Sequence, residues 1–348
     1  VNQENSVMLV GNFLSGSGLY ENVNAGLARR LTQGGWSVQT TSQKRSKMLR
    51  LLDMVSSVWR NRRSYRVAQV DVFSGPAFMW GEAACWALRR ALKPYVLCLR
   101  GGNLPNLAQR HPQRMRRMLG NAAAVTTPSR YLQQELSSFR SDIQVVPNPL
   151  DVGSYQFQPR EDPQPRLVWL RAFDQIYNPT MAVRVVEKLV NQFPKTSLLM
   201  VGPDKGDGSF QETQSLVRQL GVADRVSFPG VVPKADVPNW LNRGDIFLNT
   251  TNIDNTPVSV LEAMACGLCV VSTDVGGIPY LLNDGQDALL VPRNDVDAMA
   301  AAVHRILTER ELGKNLSQLG RAHVEPFDWS IVLPQWQELL QTAASSSA

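Results

Sequence analysis

Short apolar runs alternate with stretches of helical period along the chain. In the first half the runs are "SVMLVGNF", "WSVQTTS", "AQVDVFSG", "PYVLCLRGG", "AAVTTPS" and "IQVVPNP". In the second half they are "RLVWLRAF", "SLLMVGPD", "RVSFPGVV", "DIFLNTT", "LCVVSTD" and "ALLVPR". Each run reads as a strand, and helical patterns lie between them. The first of these, "LYENVNAGLARRLTQGG", closes at Gly34 and Gly35, where glycine suits a helix end. Strands alternating with helices of about 10–15 residues build parallel sheets through βαβ units. The pattern predicts an α/β fold of two Rossmann-like domains in tandem. Ligands bind beyond the carboxyl ends of such strands, so a central cleft between facing domains is the expected site. The first domain ends near Pro147 and Pro149, at about residue 150, and the second starts at 151. The polar, Pro-rich "REDPQPR" (160–166) reads as a linker. No repeat of 20–50 residues and no low-complexity tract beyond the "SSSA" tail is evident.

A length of 348 residues is more than one core usually serves. Apolar residues make up 43% and charged residues 19%, as in ordinary globular proteins. No apolar run approaches the roughly 18 residues of a membrane span. The opening "VNQENSVMLVGNF" has no basic segment or cleavage site and reads as a first strand after a polar lead. Four cysteines, Cys85, Cys98, Cys266 and Cys269, without a secretion signal fit a reducing, cytoplasmic setting. Cys266 and Cys269 form a CxxC, but the three histidines, His111, His304 and His323, are scattered. A small-residue turn between helix and strand is therefore expected there, rather than a metal or redox centre. Charge divides unevenly: residues 1–150 carry 20 Lys plus Arg against 7 Asp plus Glu, and residues 151–348 carry 16 against 23. The basic half is expected to meet something anionic. Basic and aromatic residues form no known nucleic-acid module there, so no nucleic-acid partner is expected.

Candidate chemistry clusters at strand ends. "LSGSGLYEN" sets Gly16, Ser17 and Gly18 before a helix, a geometry open to an anion or to a plain flexible loop. "VWLRAFDQIYNP" places Arg171 at the end of a strand, where an Arg fork suits a diphosphate or a surface ion pair. "DNTPVSVLEAMACG" is different in kind. Pro257 suits the first turn of a helix, and Asn255 or Thr256 is placed to cap it. Asp254 lies just before that helix, near its positive end. Glu262 lies inside it among apolar residues, where a carboxylate is costly without a partner. Hydroxyl pairs such as a ribose diol are one suitable partner, and a buried Arg is another.

These residues carry a resemblance. "DNTPVSVLEAMACGLCVVSTDVGGIPYLLNDGQDALLVP" resembles the signature of the retaining group 1 glycosyltransferases of the GT-B fold, the family of sucrose synthase, bacterial glycogen synthase and the phosphatidylinositol mannosyltransferases. "VVPNPLD", "LRAF" and "FPGVVPKADVPNWLNRGDIFLNTT" fit further family segments, and "FDWSIVLPQWQELL" fits a last helix that crosses back to the first domain. The resemblance thus implies a first domain of 1–150 plus about 328–348 and a second of 151–327. It implies that Glu262 binds the donor ribose and that Asp254 holds a hydroxyl of the transferred sugar. Asn255, Thr256, Pro257 and Val258 would touch sugar and diphosphate, and Arg171 would neutralise the leaving group. Asn178, Val231 and Gly202 complete the implied donor set, and Gly16, Ser17 and Gly18 an acceptor or phosphate loop. No metal and no cofactor are implied. The expected partners are a UDP- or GDP-linked sugar and a saccharide or polyprenyl-diphosphate-linked acceptor. The alternatives are a nucleotide-sugar epimerase or hydrolase on the same fold, and a non-catalytic sugar-nucleotide-binding protein.

Three departures stand out. Asp254 replaces Glu and reaches about one methylene less. Tyr177 or Asn178 stands where the family has Lys, and "CLRGG" puts Arg100 where a His is frequent. Arg100 is a candidate for the missing catalytic cation. Finally, "KRSKMLRLLDMVSSVWRNRR" (44–63) sets Met48, Leu51, Leu52, Val55, Val58 and Trp59 at helical spacing among seven cations. That face can enter the core, or it can lie on an anionic membrane surface and hold the protein at the inner face of the cell membrane.

Overall fold

The computed structural model describes residues 5–11, 13, 23–42, 44 and 46–345. The chain forms two compact units. One holds the residues up to Pro149 together with Trp329 onward; the other is Leu150–Asp328. Among the described residues the first unit has six strands: β1 Ser6–Val10, β2 Ser37–Thr41, β3 Val67–Val72, β4 Tyr95–Leu99, β5 Ala124–Thr127 and β6 Gln144–Val145. They pair in parallel in the order β2-β1-β3-β4-β5-β6. Successive side chains of a strand point to opposite faces. Met8 and Val10 accordingly join one core with Val58, Phe78 and Leu88, while Val7 and Leu9 join another with Leu27, Leu31 and Leu340. The second of these cores includes the last helix, Trp329–Ser345, through Trp329, Val332, Trp336 and Leu339.

The second unit has β7 Arg166–Leu170, β8 Ser197–Val201, β9 Val226–Gly230, β10 Ile246–Asn249, β11 Cys269–Thr273 and β12 Leu289–Val291. Their order is β12-β11-β10-β7-β8-β9, again all parallel. Numbered within the unit this is the doubly wound 3-2-1-4-5-6 order, which reverses between β7 and β10. Helices cover both faces. Leu167 and Trp169 pack with Met181, Val185, Met299 and Val303 on one side, and Val168 packs with Leu241, Val260, Leu261 and Met264 on the other.

All twelve strands coincide with the apolar runs of the sequence. The expected linker at 160–166 is overturned. Arg160 is buried, donates from Nε to Gly244 O and pairs with Asp245 at 2.9 Å, and its amide donates to Ser317 Oγ. Asp245 also takes Nε of Arg166 at 2.8 Å and the Gln164 amide at 3.0 Å. A charged, Pro-rich stretch has the composition of a linker, but here a distant carboxylate neutralises its arginines and fixes it to the sheet.

Candidate active site

The point between β7 and β10 where strand order reverses collects the second unit's polar groups. Arg171 follows β7, and its amide donates to Val201 O. Gly202 is obligatory beside it: its φ is +149°, and a Cβ there would collide with the Arg171 carbonyl. The Arg171 side chain is 14% exposed and forms an ion pair with Asp254, itself 15% exposed. The guanidinium carbon lies 4.2 Å over the ring centroid of Tyr177. Burial pulls the Arg171 pKa down from its ordinary value, with Tyr177 opposing; an arginine nevertheless stays charged in proteins.

A relay from the sheet holds Tyr177. Trp169 Nε1 donates to Thr250 Oγ1 at 3.0 Å, and Thr250 Oγ1 donates to the Tyr177 carbonyl at 2.8 Å. The Asn252 amide donates to Ile176 O at 2.7 Å. Asn178, at φ +47°, starts the next helix, and its amide group donates to Asn294 Oδ1 at 2.9 Å. Of the two residues standing in the lysine's place, Tyr177 is therefore the one that touches Arg171.

Asp254 leads into the helix Val258–Ala265. The loop is held from behind by Gly276 and Gly277. The Gly277 amide donates to Asp254 O at 3.0 Å, and Cβ atoms on these glycines would strike the carbonyls of Asp254 and Asn255. Neither Asn255 nor Thr256 holds the expected capping position. Pro257 itself occupies the capping position, at φ −70° and ψ 110°, and makes no side-chain cap. Thr256 and Asn255 lie one and two residues further out. The buried Thr256 hydroxyl has no hydrogen-bond partner among the described residues. Val258 opens the helix, so its amide and those following form the positive end.

Glu262 is the fifth residue of this helix and is 4% exposed. Its Oε1 accepts from the Tyr155 hydroxyl at 2.8 Å and forms an ion pair with Lys234. Burial raises the Tyr155 pKa, so the phenol stays a donor. Lys234 starts the short turn Lys234–Asp236, three residues beyond the partly exposed Val231 that follows β9. The partner of Glu262 is thus a lysine and a tyrosine rather than a buried arginine. Sequence spacing offered no signal for either, since they lie 28 and 107 residues away.

Arg100 belongs to the first unit. It follows β4 and donates from Nε to Asp71 Oδ1 at 2.7 Å, from Nη1 to Asn148 Oδ1 at 2.7 Å and from Nη2 to Asn24 Oδ1 at 3.1 Å. Burial works against its charge, but Asp71 raises its pKa above the ordinary value. Gly16, Ser17 and Gly18 lie outside the described residues. Cys266 and Cys269 are buried thiols, and burial pushes both up to about 12. Among the described residues no three His, Cys, Asp or Glu side chains are grouped to hold a metal ion.

In the helix Lys47–Arg60 the apolar stripe divides. Met54 and Val58 are buried in the core, whereas Met48 is 77%, Leu52 61% and Trp59 38% exposed. Arg60, Arg62 and Arg63 are exposed beside them. No helix among the described residues is long and apolar enough to cross a membrane.

Two doubly wound parallel units, with the last helix folded into the first, make up the GT-B class. Residues 164–309 match the profile described as "Glycosyl transferases group 1", and residues 19–154 match "Glycosyltransferase Family 4". The chain belongs to the group 1 glycosyltransferases. It is 30% identical over 220 residues to a phosphatidyl-myo-inositol mannosyltransferase of Mycolicibacterium smegmatis, a match covering 61% of this chain and 55% of that one. A GDP-mannose-dependent alpha-(1-6)-phosphatidylinositol monomannoside mannosyltransferase of the same organism is 27% identical over 244 residues, covering 64% of this chain and 61% of that one. The chain thus spans little more than half the length of these relatives. Among solved structures it is similar to a sucrose-phosphate synthase from Thermosynechococcus elongatus, with a TM-score of 0.80, 19% identity and coverage of 96% of this chain and 98% of that one. Anabaena HepE in complex with UDP-glucose gives 0.76, 16%, 96% and 98%. At these identities the structural likeness speaks for the fold.

Proposed function

We propose that this chain moves a sugar from a UDP- or GDP-linked donor to a hydroxyl of a saccharide or lipid-linked acceptor, with retention at the anomeric carbon. The observation that carries the reading is the pair of acids on the helix Val258–Ala265. Asp254 before it and Glu262 within it each hold a cation, Arg171 and Lys234, beside the helix start. One relative is named as GDP-mannose-dependent and one neighbour holds UDP-glucose, so both nucleotides stay within the reading.

In this reading Glu262 accepts the ribose hydroxyls and Asp254 accepts one from the sugar. The backbone from Asn255 to Val258 meets sugar and diphosphate. The bond from the anomeric carbon to the phosphate oxygen breaks, and the acceptor oxygen bonds to that carbon on the same face. The departing phosphate oxygen takes the acceptor's proton, so no protein nucleophile is required. Arg171 offsets the charge that develops on the leaving phosphate. The enzyme works in the cytoplasm at the inner face of a membrane, where the exposed apolar and basic side of the helix Lys47–Arg60 supports a surface contact.

The test is donor binding and product analysis. Glu262→Ala weakens nucleoside diphosphate binding, whereas Asp254→Ala spares binding and lowers turnover. The product keeps the donor's anomeric configuration, and excess EDTA leaves the rate unchanged. If both variants bind and turn over as the wild type does, the ribose and sugar roles are wrong.

A further inference from the structure

We propose that Lys234 is the second donor cation of this chain, contacting the phosphate next to the ribose, an inference that rests on the donor reading above. The need for such a group follows from Tyr177. At the place where a lysine is expected the second unit carries a phenol, stacked on Arg171. Arg100, the other candidate, lies in the first unit and is committed to Asp71, Asn24 and Asn148.

Lys234 is positioned for the role by the order of groups in the donor. Sugar, two phosphates and ribose follow one another in a nucleotide-diphosphate sugar. With the sugar at Asp254 and the ribose at Glu262, the diphosphate spans the stretch between the two acids. Each acid holds one cation: Arg171 at the sugar end and Lys234 at the ribose end. The two cations therefore flank the diphosphate, one beside each phosphate.

The chemistry of the Lys234 contact fits exchange. Its side chain is 36% exposed, so the ammonium is within reach of an incoming ligand. An ammonium has three donors on a flexible stem and can keep Glu262 while taking a phosphate oxygen. Tyr155 and Lys234 both meet Oε1 of Glu262. A ribose hydroxyl can then donate to Oε2 without displacing them.

The experiment compares nucleoside, monophosphate and diphosphate binding to the full chain, using uridine, UMP and UDP and the guanosine series. Lys234→Met keeps the stem and removes the charge. We expect about a tenfold loss for mono- and diphosphate, the scale of one charge-assisted hydrogen bond, and an unchanged nucleoside affinity. Lys234→Arg recovers most of the loss. Equal losses for all three ligands would mean that Lys234 acts only through Glu262, and no loss would mean that it does not act; either overturns the proposal. Glu262→Ala is the control for the underlying reading, since it weakens all three. If the wild type binds no nucleotide, or Glu262→Ala changes nothing, the donor reading fails, a result distinct from failure of the Lys234 contact alone.

Discussion

Asp254→Asn separates the structural charge balance of the site from its chemistry. The substitution keeps the shape of the side chain and leaves Arg171 without its anion. Breaking a buried ion pair by removing one partner costs about 3–5 kcal/mol. Here the partners are 14% and 15% exposed, and water screens part of the loss, so about 3 kcal/mol is expected. For a unit of this size, residues 150–328, each kcal/mol shifts melting by about 2–4 °C. The variant should therefore melt about 6–12 °C lower. A nucleoside diphosphate brings the missing negative charge. In the wild type its phosphate competes with Asp254 for Arg171; in the variant it does not. At one fixed concentration of UDP or GDP, the stabilisation RT ln(1 + [L]/Kd) is then larger for the variant, while sugar transfer falls because the hydroxyl contact loses its carboxylate. Differential scanning fluorimetry with and without the nucleotide reads both shifts. Melting at the wild-type temperature, or a smaller ligand-induced rise in the variant, would refute the argument that Arg171 is shared between Asp254 and phosphate.

Asp245→Ala leaves the buried Arg160 charge uncompensated. Urea unfolding should show a loss of about 3–5 kcal/mol, and a loss below 1 kcal/mol would restore the linker reading of 160–166. The thiols of Cys266 and Cys269 are raised from 9.0 to about 12 by burial. The unfolded thiols ionise first, so stability should be full below pH 9 and fall toward pH 12, by up to about 1.4 kcal/mol per pH unit for each thiol; flat stability across that window would refute the assignment. Arg60, Arg62 and Arg63 changed together to Ser should weaken binding to anionic vesicles by about two orders of magnitude, at about 1 kcal/mol per cation near the surface. Equal recovery of the wild type on neutral and anionic vesicles would refute a charged membrane contact.

The strands were legible because parallel strands buried on both faces read as unbroken apolar runs. The sequence "RLVWLRAF" marks β7 and the emergence of Arg171 together. Asp254 and Glu262 were legible for a related reason, since a carboxylate is conspicuous among residues as apolar as Val260, Leu261, Ala263 and Met264. Their partners were not. Lys234 and Tyr155 reach Glu262 only after three separate segments have packed, and neither differs in local context from an ordinary loop residue. The cap at Asn255 or Thr256 was misread because proline usually follows the capping position; here it occupies it. The helix Lys47–Arg60 shows a further ambiguity: its apolar side is wider than the core it covers, so spacing alone could not tell buried Val58 from exposed Leu52.

The departures at 177 and 254 form one arrangement around Arg171 rather than two independent changes. A phenol in place of an ammonium removes a positive charge from the site and supplies a flat face for the guanidinium, 4.2 Å away, an attraction in its own right. The relay from Trp169 through Thr250 to the Tyr177 carbonyl ties that face to both β7 and β10. Tyr177 thus meets Arg171 from the β7 side of the site, and Asp254 meets it from the loop after β10. A carboxylate one methylene longer would have to fold back to make the same ion pair, and a lysine at 177 would repel the guanidinium it stands beside. With Arg171 held in this way at the sugar end, the remaining demand for positive charge falls at the ribose end, beside Glu262, where Lys234 is found.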